Sequence, residues 1–155
     1  MYTKTIKTSI VSPLNDSQSI EIILTIPEAI DQQSKKIPVS MVLYHNDNYR
    51  PETTGIDQDK VKLISYHYAV PYTKNNGRTE VVSTPLLDTN VDLYRDLTRQ
   101  ISTLLVKKLN IPVYVAYGEL IGAPVSQSAI PMDQLFILRK CIAFVEEQLK
   151  KQATH

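Results

Sequence analysis

Residues 83–149 can be read physically from end to end, and they confine the chain to a sheet covered by helices. Ser83-Thr84-Pro85-Leu86-Leu87-Asp88 closes a strand, an amphipathic segment follows, and residues 111–117 (Ile-Pro-Val-Tyr-Val-Ala-Tyr) are almost wholly apolar. An apolar run this short reads as a strand buried on both faces, which places it centrally in a sheet. A loop of small residues then leads to a last apolar helix.

The first helix has its own signals. Thr89-Asn90-Val91-Asp92 matches a capping box, in which the Thr89 hydroxyl accepts from the amide of Asp92. Leu93, Leu97, Ile101, Leu104, Leu105 and Lys108 recur at helical spacing, so the aliphatic stripe faces a core. Lys107 and Lys108 suit the negative end of the helix dipole, and Asn110 stops the helix after Leu109. In the last helix, opened by Pro131, Leu135, Leu138, Ile142, Val145 and Leu149 form one stripe. Phe136, Ile137, Cys141 and Phe144 form a second one beside it, so this helix is apolar beyond what covering a sheet requires.

The first half reads as strands. Residues 2–11 are extended and threonine-rich, and Ile20, Ile22, Leu24 and Ile26 alternate in the two-residue period of a strand with one buried face. Residues 28–36 have room for a short turn of helix, and residues 39–44 form a third strand. Residues 45–60 are polar and read as a long loop. In the fourth strand, residues 61–72, Val61, Leu63 and Ala69 are expected on one side, with Lys62, Ile64, Tyr66, Tyr68 and Val70 on the other. Asn75-Asn76-Gly77 signals a hairpin through its tolerance of positive φ. The strand returns over residues 78–84, and Pro85 is expected to end its ladder.

The reading is therefore α+β, in a single domain spanning residues 1–155: about six mostly antiparallel strands in one sheet, with two long helices on one face. Hydrophobic residues make up 43% and charged residues 21%, an ordinary globular composition. Seventeen basic against sixteen acidic side chains give +1, which leaves no field to attract nucleic acid or an anionic membrane. A lone cysteine, Cys141, excludes an internal disulfide and fits a reducing compartment. Met1-Tyr2-Thr3-Lys4-Thr5 lacks the apolar core of a signal peptide, so the expected place is inside the cell.

Catalytic and cofactor chemistry is not expected. His45, His67 and His155 lack metal-ligand spacing, and Cys141 in an apolar helix reads as a small core residue. The four glycines form no phosphate-cradling loop before a helix. No catalytic, metal or cofactor residue is assigned.

Binding is the remaining class. Two helices on one face leave the other face, with Ile23, Val42, Tyr44, Ile64, Tyr66 and Tyr68, half-exposed, and such apolar patches mark interaction sites. Tyr44, Tyr66 and Tyr68 are candidate partner-binding residues there, and Phe136 and Phe144 on the surplus surface of the last helix join them. Loops on a rigid scaffold carry recognition, which points to residues 45–60 and 118–130, the latter flanked by Tyr117 as an aromatic anchor and Glu119 as a charge.

The strand end 83–88, the helix ending in basic residues, the strand 111–117 and the last helix rich in Leu, Lys and Glu resemble, in order and spacing, the proteasome assembly chaperone 4 family. The longer loop between Tyr117 and Met132 departs from animal members and looks closer to fungal ones. The resemblance implies a non-enzymatic chaperone of 20S core assembly, half of a heterodimer with proteasome assembly chaperone 3. It further implies binding of an alpha-type subunit, the fifth, early in alpha-ring formation, followed by release. It points to the cytoplasm, with the nucleus as a second compartment, and to no cofactor, nucleic-acid or membrane partner. The competing classes are a small-molecule- or peptide-binding domain, or an adaptor, of the same architecture.

Overall fold

The computed structural model describes residues 3–13, 19–28, 37–46, 61–120 and 133–153. In chain order the elements are β1 (Thr3–Val11), β2 (Ser19–Pro27), β3 (Val39–Asn46), β4 (Val61–Thr73), β5 (Thr79–Leu87), α1 (Asp92–Leu109), β6 (Val113–Leu120) and α2 (Gln134–Ala153). The strands form one six-stranded sheet in the order β1-β2-β3-β6-β4-β5. Only the β3–β6 pair is parallel, and β4, β5 and α1 form the crossover that such a pair needs. The apolar β6 is thus an interior strand, as its composition requires.

Register assigns the two faces. Ile22 lies opposite Leu43, Leu43 opposite Tyr117, and Tyr117 opposite Ser65, so these side chains share one face. On that face Ile20, Ile22, Leu24, Ile26, Val39, Met41, Leu43, Val113 and Val115 are buried. They join Leu97, Ile101, Leu105 and Val106 of α1 and Ile137, Cys141 and Val145 of α2 in one core. The helices run parallel side by side: the Gln134 amide donates to Gln100 Oε1 (3.1 Å), and the Lys108 ammonium pairs with Glu146 twelve residues further along α2.

Several local expectations are corrected. The N-cap of α1 is Val91, with no side-chain cap; the Thr89 hydroxyl accepts instead from the amide of Val91 at 3.2 Å. The C-terminus is as expected: Asn110 takes a left-handed conformation (φ 55°, ψ 38°) and donates its amide to Val106 O at 2.8 Å. Pro85 does not end β5, which runs on to Leu87. It sits at an irregularity on the edge strand, where the register jumps between Tyr66↔Leu87 and His67↔Pro85. The hairpin uses positive φ only at Gly77 (81°), and the Gly77 amide donates to Lys74 O, so the turn is a three-residue loop rather than an Asn-Gly mirror turn.

The core stripe of α2 also differs. Ile137, Cys141, Ile142, Val145 and Gln148 are buried, whereas Leu135 is 55% exposed and Leu138 half-buried. Pro131 lies outside the described residues; the helix begins at Gln134, and Asp133 caps it by accepting from the Leu135 amide at 3.2 Å. Residues 29–36, the expected turn of helix, also lie outside the described residues.

Candidate partner-binding surface

The face of the sheet opposite the helices is built by the alternate positions of each strand. Its middle row carries Glu21 on β2, Tyr44 on β3, Gly118 on β6 and Leu63 on β4. A neighbouring row carries Ile23, Val42, Ala116, Tyr66 and Leu87, and the next ones bring Tyr114, Tyr68, Val70 and Val82 alongside. The tyrosines pack on one another: Tyr68 stacks on Tyr114 with centroids 4.4 Å apart, and Tyr66 tilts against the same ring at 5.9 Å. Glu21 is held by the hydroxyls of Ser9 and Ser19.

Burial raises the phenol pKa of Tyr66 and Tyr68, and the neighbouring Tyr114 adds to it. Burial, then the Glu21 carboxylate, does the same for Tyr44. All three phenols therefore keep their protons at neutral pH and present O–H donors.

Large apolar side chains remain in water on this face. Of the eight exposed large hydrophobics among the described residues, five belong to it: Val11, Leu63, Tyr72, Val82 and Leu87. Val82 and Tyr72 are 50% and 53% exposed. Leu63, Tyr72, Val82 and Leu87 lie on β4 and β5 and Val11 at the opposite edge of the sheet, and exposed apolar side chains on one face are a feature of interaction sites.

The structure sorts the residues named from sequence. Tyr66 and Tyr68 lie on this face, half-buried. Tyr44 lies on it too but is only 6% exposed, so it is not an accessible part of this face. Tyr117 faces the helices, fully buried and stacked on Tyr94 of α1 at 4.7 Å, so it is core packing and not an accessible anchor. Glu119 is half-buried at the end of β6, in register with His45 and Lys62. Phe136 and Phe144 pack against the rim of the core, and the Lys140 ammonium lies 5.5 Å from the Phe136 ring centroid. They belong to the helix layer and do not meet the tyrosine face.

Sequence reasoning missed Tyr114, Tyr72, Val82 and Leu87, although all four follow once the strand register is known. It also put Leu63 with Ala69. The register shift between Leu63 and Ser65 turns Leu63 to the tyrosine face and directs Ser65, His67 and Ala69 to the core.

Burial pushes the Cys141 thiol up to about 12, so the nucleophilic thiolate is not populated near neutrality. His67, 3% exposed, shares a hydrogen bond with Thr98 Oγ1 (2.9 Å), which also meets Ser65 Oγ (2.8 Å). Burial, then the Arg99 guanidinium, lowers the His67 pKa, with Arg95 adding to the effect and Asp88 opposing it. Among the described residues no group of three His, Cys, Asp or Glu is placed to hold a metal ion, and no helix is long and apolar enough to cross a membrane.

Comparison with known proteins settles the family. Residues 1–146 match the family model of 20S proteasome chaperone assembly proteins 3 and 4. The chain belongs to that family. It is 31% identical over 156 residues to proteasome chaperone 4 of Saccharomyces cerevisiae, covering 96% of this chain and 99% of the relative. Its fold matches a chain of the crystal structure of a novel chaperone complex for yeast 20S proteasome assembly, with a TM-score of 0.70 and 30% identity over 96% of this chain and 99% of that one. The open face is therefore a feature of a proteasome-chaperone family member whose yeast structural relative was crystallised within a complex.

Proposed function

We propose that this chain is an assembly chaperone of the 20S proteasome that works by binding alone. Its tyrosine face pairs with a related family member of the type called assembly protein 3. The pair then holds an alpha-type subunit, the fifth, while the alpha ring forms, and leaves before the core matures. The observation that carries this reading is the set of exposed Val11, Leu63, Tyr72, Val82 and Leu87 on one sheet face of a chain belonging to this family. Stacking a second apolar surface there would dry those side chains, and since each is already about half-buried, each would contribute roughly 1 kcal/mol. The half-buried tyrosines suit an interface that must stay soluble when open, because ring and hydroxyl satisfy different surroundings.

The connections after β3 and after β6 leave from one end of the sheet, since His45 lies opposite Glu119 and Glu119 opposite Lys62. Residues 47–60 and 121–132 themselves lie outside the described residues. Loops rooted together can act on one client, and these two are the proposed carriers of alpha-subunit recognition. Action in the cytoplasm, with the nucleus as a second compartment, goes with the same reading.

The test is affinity purification of the tagged chain from extracts of its own cells, followed by mass spectrometry. A second member of this chaperone family and alpha-type subunits should co-purify, with mature 20S particles absent. Recovery of neither, with the tagged chain shown to be folded, contradicts the proposal.

A further inference from the structure

Strand β4 is turned inside out relative to its own composition. Ser65, His67 and Ala69 face the core at 0%, 3% and 0% exposure, while Tyr66, Tyr68 and Val70 alternate with them on the tyrosine face. Burial of apolar surface alone favours the reverse, with the tyrosines and the valine inside and the serine and histidine in water. The ladder holds this stretch only loosely, because it is irregular on both flanks. On the β6 side the register shifts between Leu63 and Ser65, and on the β5 side between Tyr66 and His67. A regular ladder continued from Leu63↔Gly118 would set Ser65 opposite Ala116 and Tyr66 opposite Val115. That one-residue slip would carry Ser65 and His67 to the tyrosine face and Tyr66 and Tyr68 into the core.

The contact that opposes the slip comes from the helix layer. Thr98 of α1, fully buried, meets Ser65 Oγ at 2.8 Å and His67 Nδ1 at 2.9 Å. Its own hydroxyl is oriented by the carbonyl oxygens of Tyr94 and Arg95, both at 3.0 Å. One side chain of α1 therefore grips the two inward polar groups that lie next to the two irregularities. In the slipped register Ser65 and His67 point away from α1, and both bonds are forfeited. Fixing a register is the best-attested use of a buried polar contact.

We infer that the Ser65–Thr98–His67 network is a register lock, through which Thr98 on the helix side of the sheet positions Tyr66 and Tyr68 on the pairing face. The inference rests on the proposed pairing of that face. Thr98 is a positioning residue, since the sheet lies between it and any partner seated on the tyrosines. Only chains in the observed register present those rings, so the apparent Kd for pairing rises in inverse proportion to the fraction in register.

The test compares three variants of the full chain: Thr98→Val, Thr98→Ser, which keeps the hydroxyl, and Ile137→Ala, which weakens the core from α2. Cross-strand backbone contacts of β4 with β6 are read by NMR in each free chain, and affinity for the related family member is then measured. Wild type and Thr98→Ser should show Tyr66 against Ala116 and Tyr68 against Tyr114. Thr98→Val should add a second set, Tyr66 against Val115 and Tyr68 against Val113, and pair about tenfold more weakly or worse, in step with the slipped fraction. Ser65→Ala removes one arm of the network and should show the same change in smaller measure, which keeps the test open if Thr98→Val does not fold. Ile137→Ala should keep both the register and the pairing affinity. A single, wild-type register in Thr98→Val or, where that chain does not fold, in Ser65→Ala overturns the inference. Loss of pairing in Ile137→Ala equal to that in Thr98→Val also overturns it, because general stability would then account for the effect. A wild-type chain that does not pair removes the proposed function by a separate result, since the register is read without a partner, and the positioning role falls with it.

Discussion

Replacing Thr98 with valine keeps the shape of the side chain and deletes one buried hydroxyl. Thr98 is fully buried, and its Oγ1 lies 2.8 Å from Ser65 Oγ, 2.9 Å from His67 Nδ1 and 3.0 Å from the carbonyl oxygens of Tyr94 and Arg95. A hydroxyl has one proton and two acceptor sites, so the network is satisfied when Thr98 donates to a backbone carbonyl and accepts from Ser65 and His67. Valine leaves those two donors unpaired where no water reaches. Each such loss costs about 1–3 kcal/mol, and Ser65 recovers part of it by rotating its hydroxyl. The expected destabilisation is therefore about 2–4 kcal/mol, a fall in Tm of roughly 5–15 °C for a chain of this size. Urea and thermal unfolding measure it directly, and a cycle with Ser65→Ala should show coupling of about 0.5–3 kcal/mol. A change below about 0.5 kcal/mol would mean that the β4–α1 contact does not depend on this network.

Three further outcomes follow from burial and charge. Ile137→Ala should destabilise by about 2–5 kcal/mol, whereas Leu135→Ala, at a position 55% exposed, should shift the unfolding midpoint hardly at all; equal effects would place the wrong stripe of α2 in the core. The Cys141 thiol, buried and pushed up to about 12, should resist alkylation in the folded chain at neutral pH and react fully in denaturant, and rapid native labelling would contradict its packing. His67 is held below its ordinary value of 6.5, so the unfolded chain binds the proton more readily. Its contribution is fully present above about pH 6.5 and is lost as pH falls through the depressed folded value; His67→Gln should flatten that part of the stability profile, and an unchanged slope would refute the assignment.

The elements were legible because most of them repeat a period. Ile20, Ile22, Leu24 and Ile26 alternate and are all fully buried, and Asn110 ends α1 in the conformation that asparagine tolerates best after glycine. What the sequence hid depended on partners distant in the chain. Thr98 and Ser102 interrupt the stripe of α1 and look like surface residues, yet both are buried, Thr98 because His67 and Ser65 meet it from β4. Leu63 and Pro85 were misplaced because a register shift carries no period of its own. In α2 the apolar surface is wide enough for two stripe axes, and only contact with α1 and the sheet selects the one through Ile137, Cys141 and Val145.

The candidate surface was legible as a tyrosine-bearing face left without helices, but not in its membership. Tyr66 and Tyr68 were placed correctly by alternation alone. Tyr117 was not, since the same alternation that turns Tyr114 outward directs Tyr117 to the core, and the face chosen by β6 is set by its neighbours. Val82 and Leu87 lie in a segment whose alternation is weak, so their exposure emerges only from pairing with Val70 and Tyr66.

The most direct measurement of the central claim is the mass of the co-expressed chaperone pair in solution, by sedimentation or native mass spectrometry, for the wild-type chain and for Val82→Arg. Val82 is 50% exposed, so arginine there costs the isolated fold little and should leave its melting curve unchanged. A paired species for wild type and separated chains for Val82→Arg is the predicted result, because the pair would otherwise bury an uncompensated charge against the tyrosines. A variant that pairs as tightly as wild type would show that the tyrosine face is not where this chaperone meets its partner.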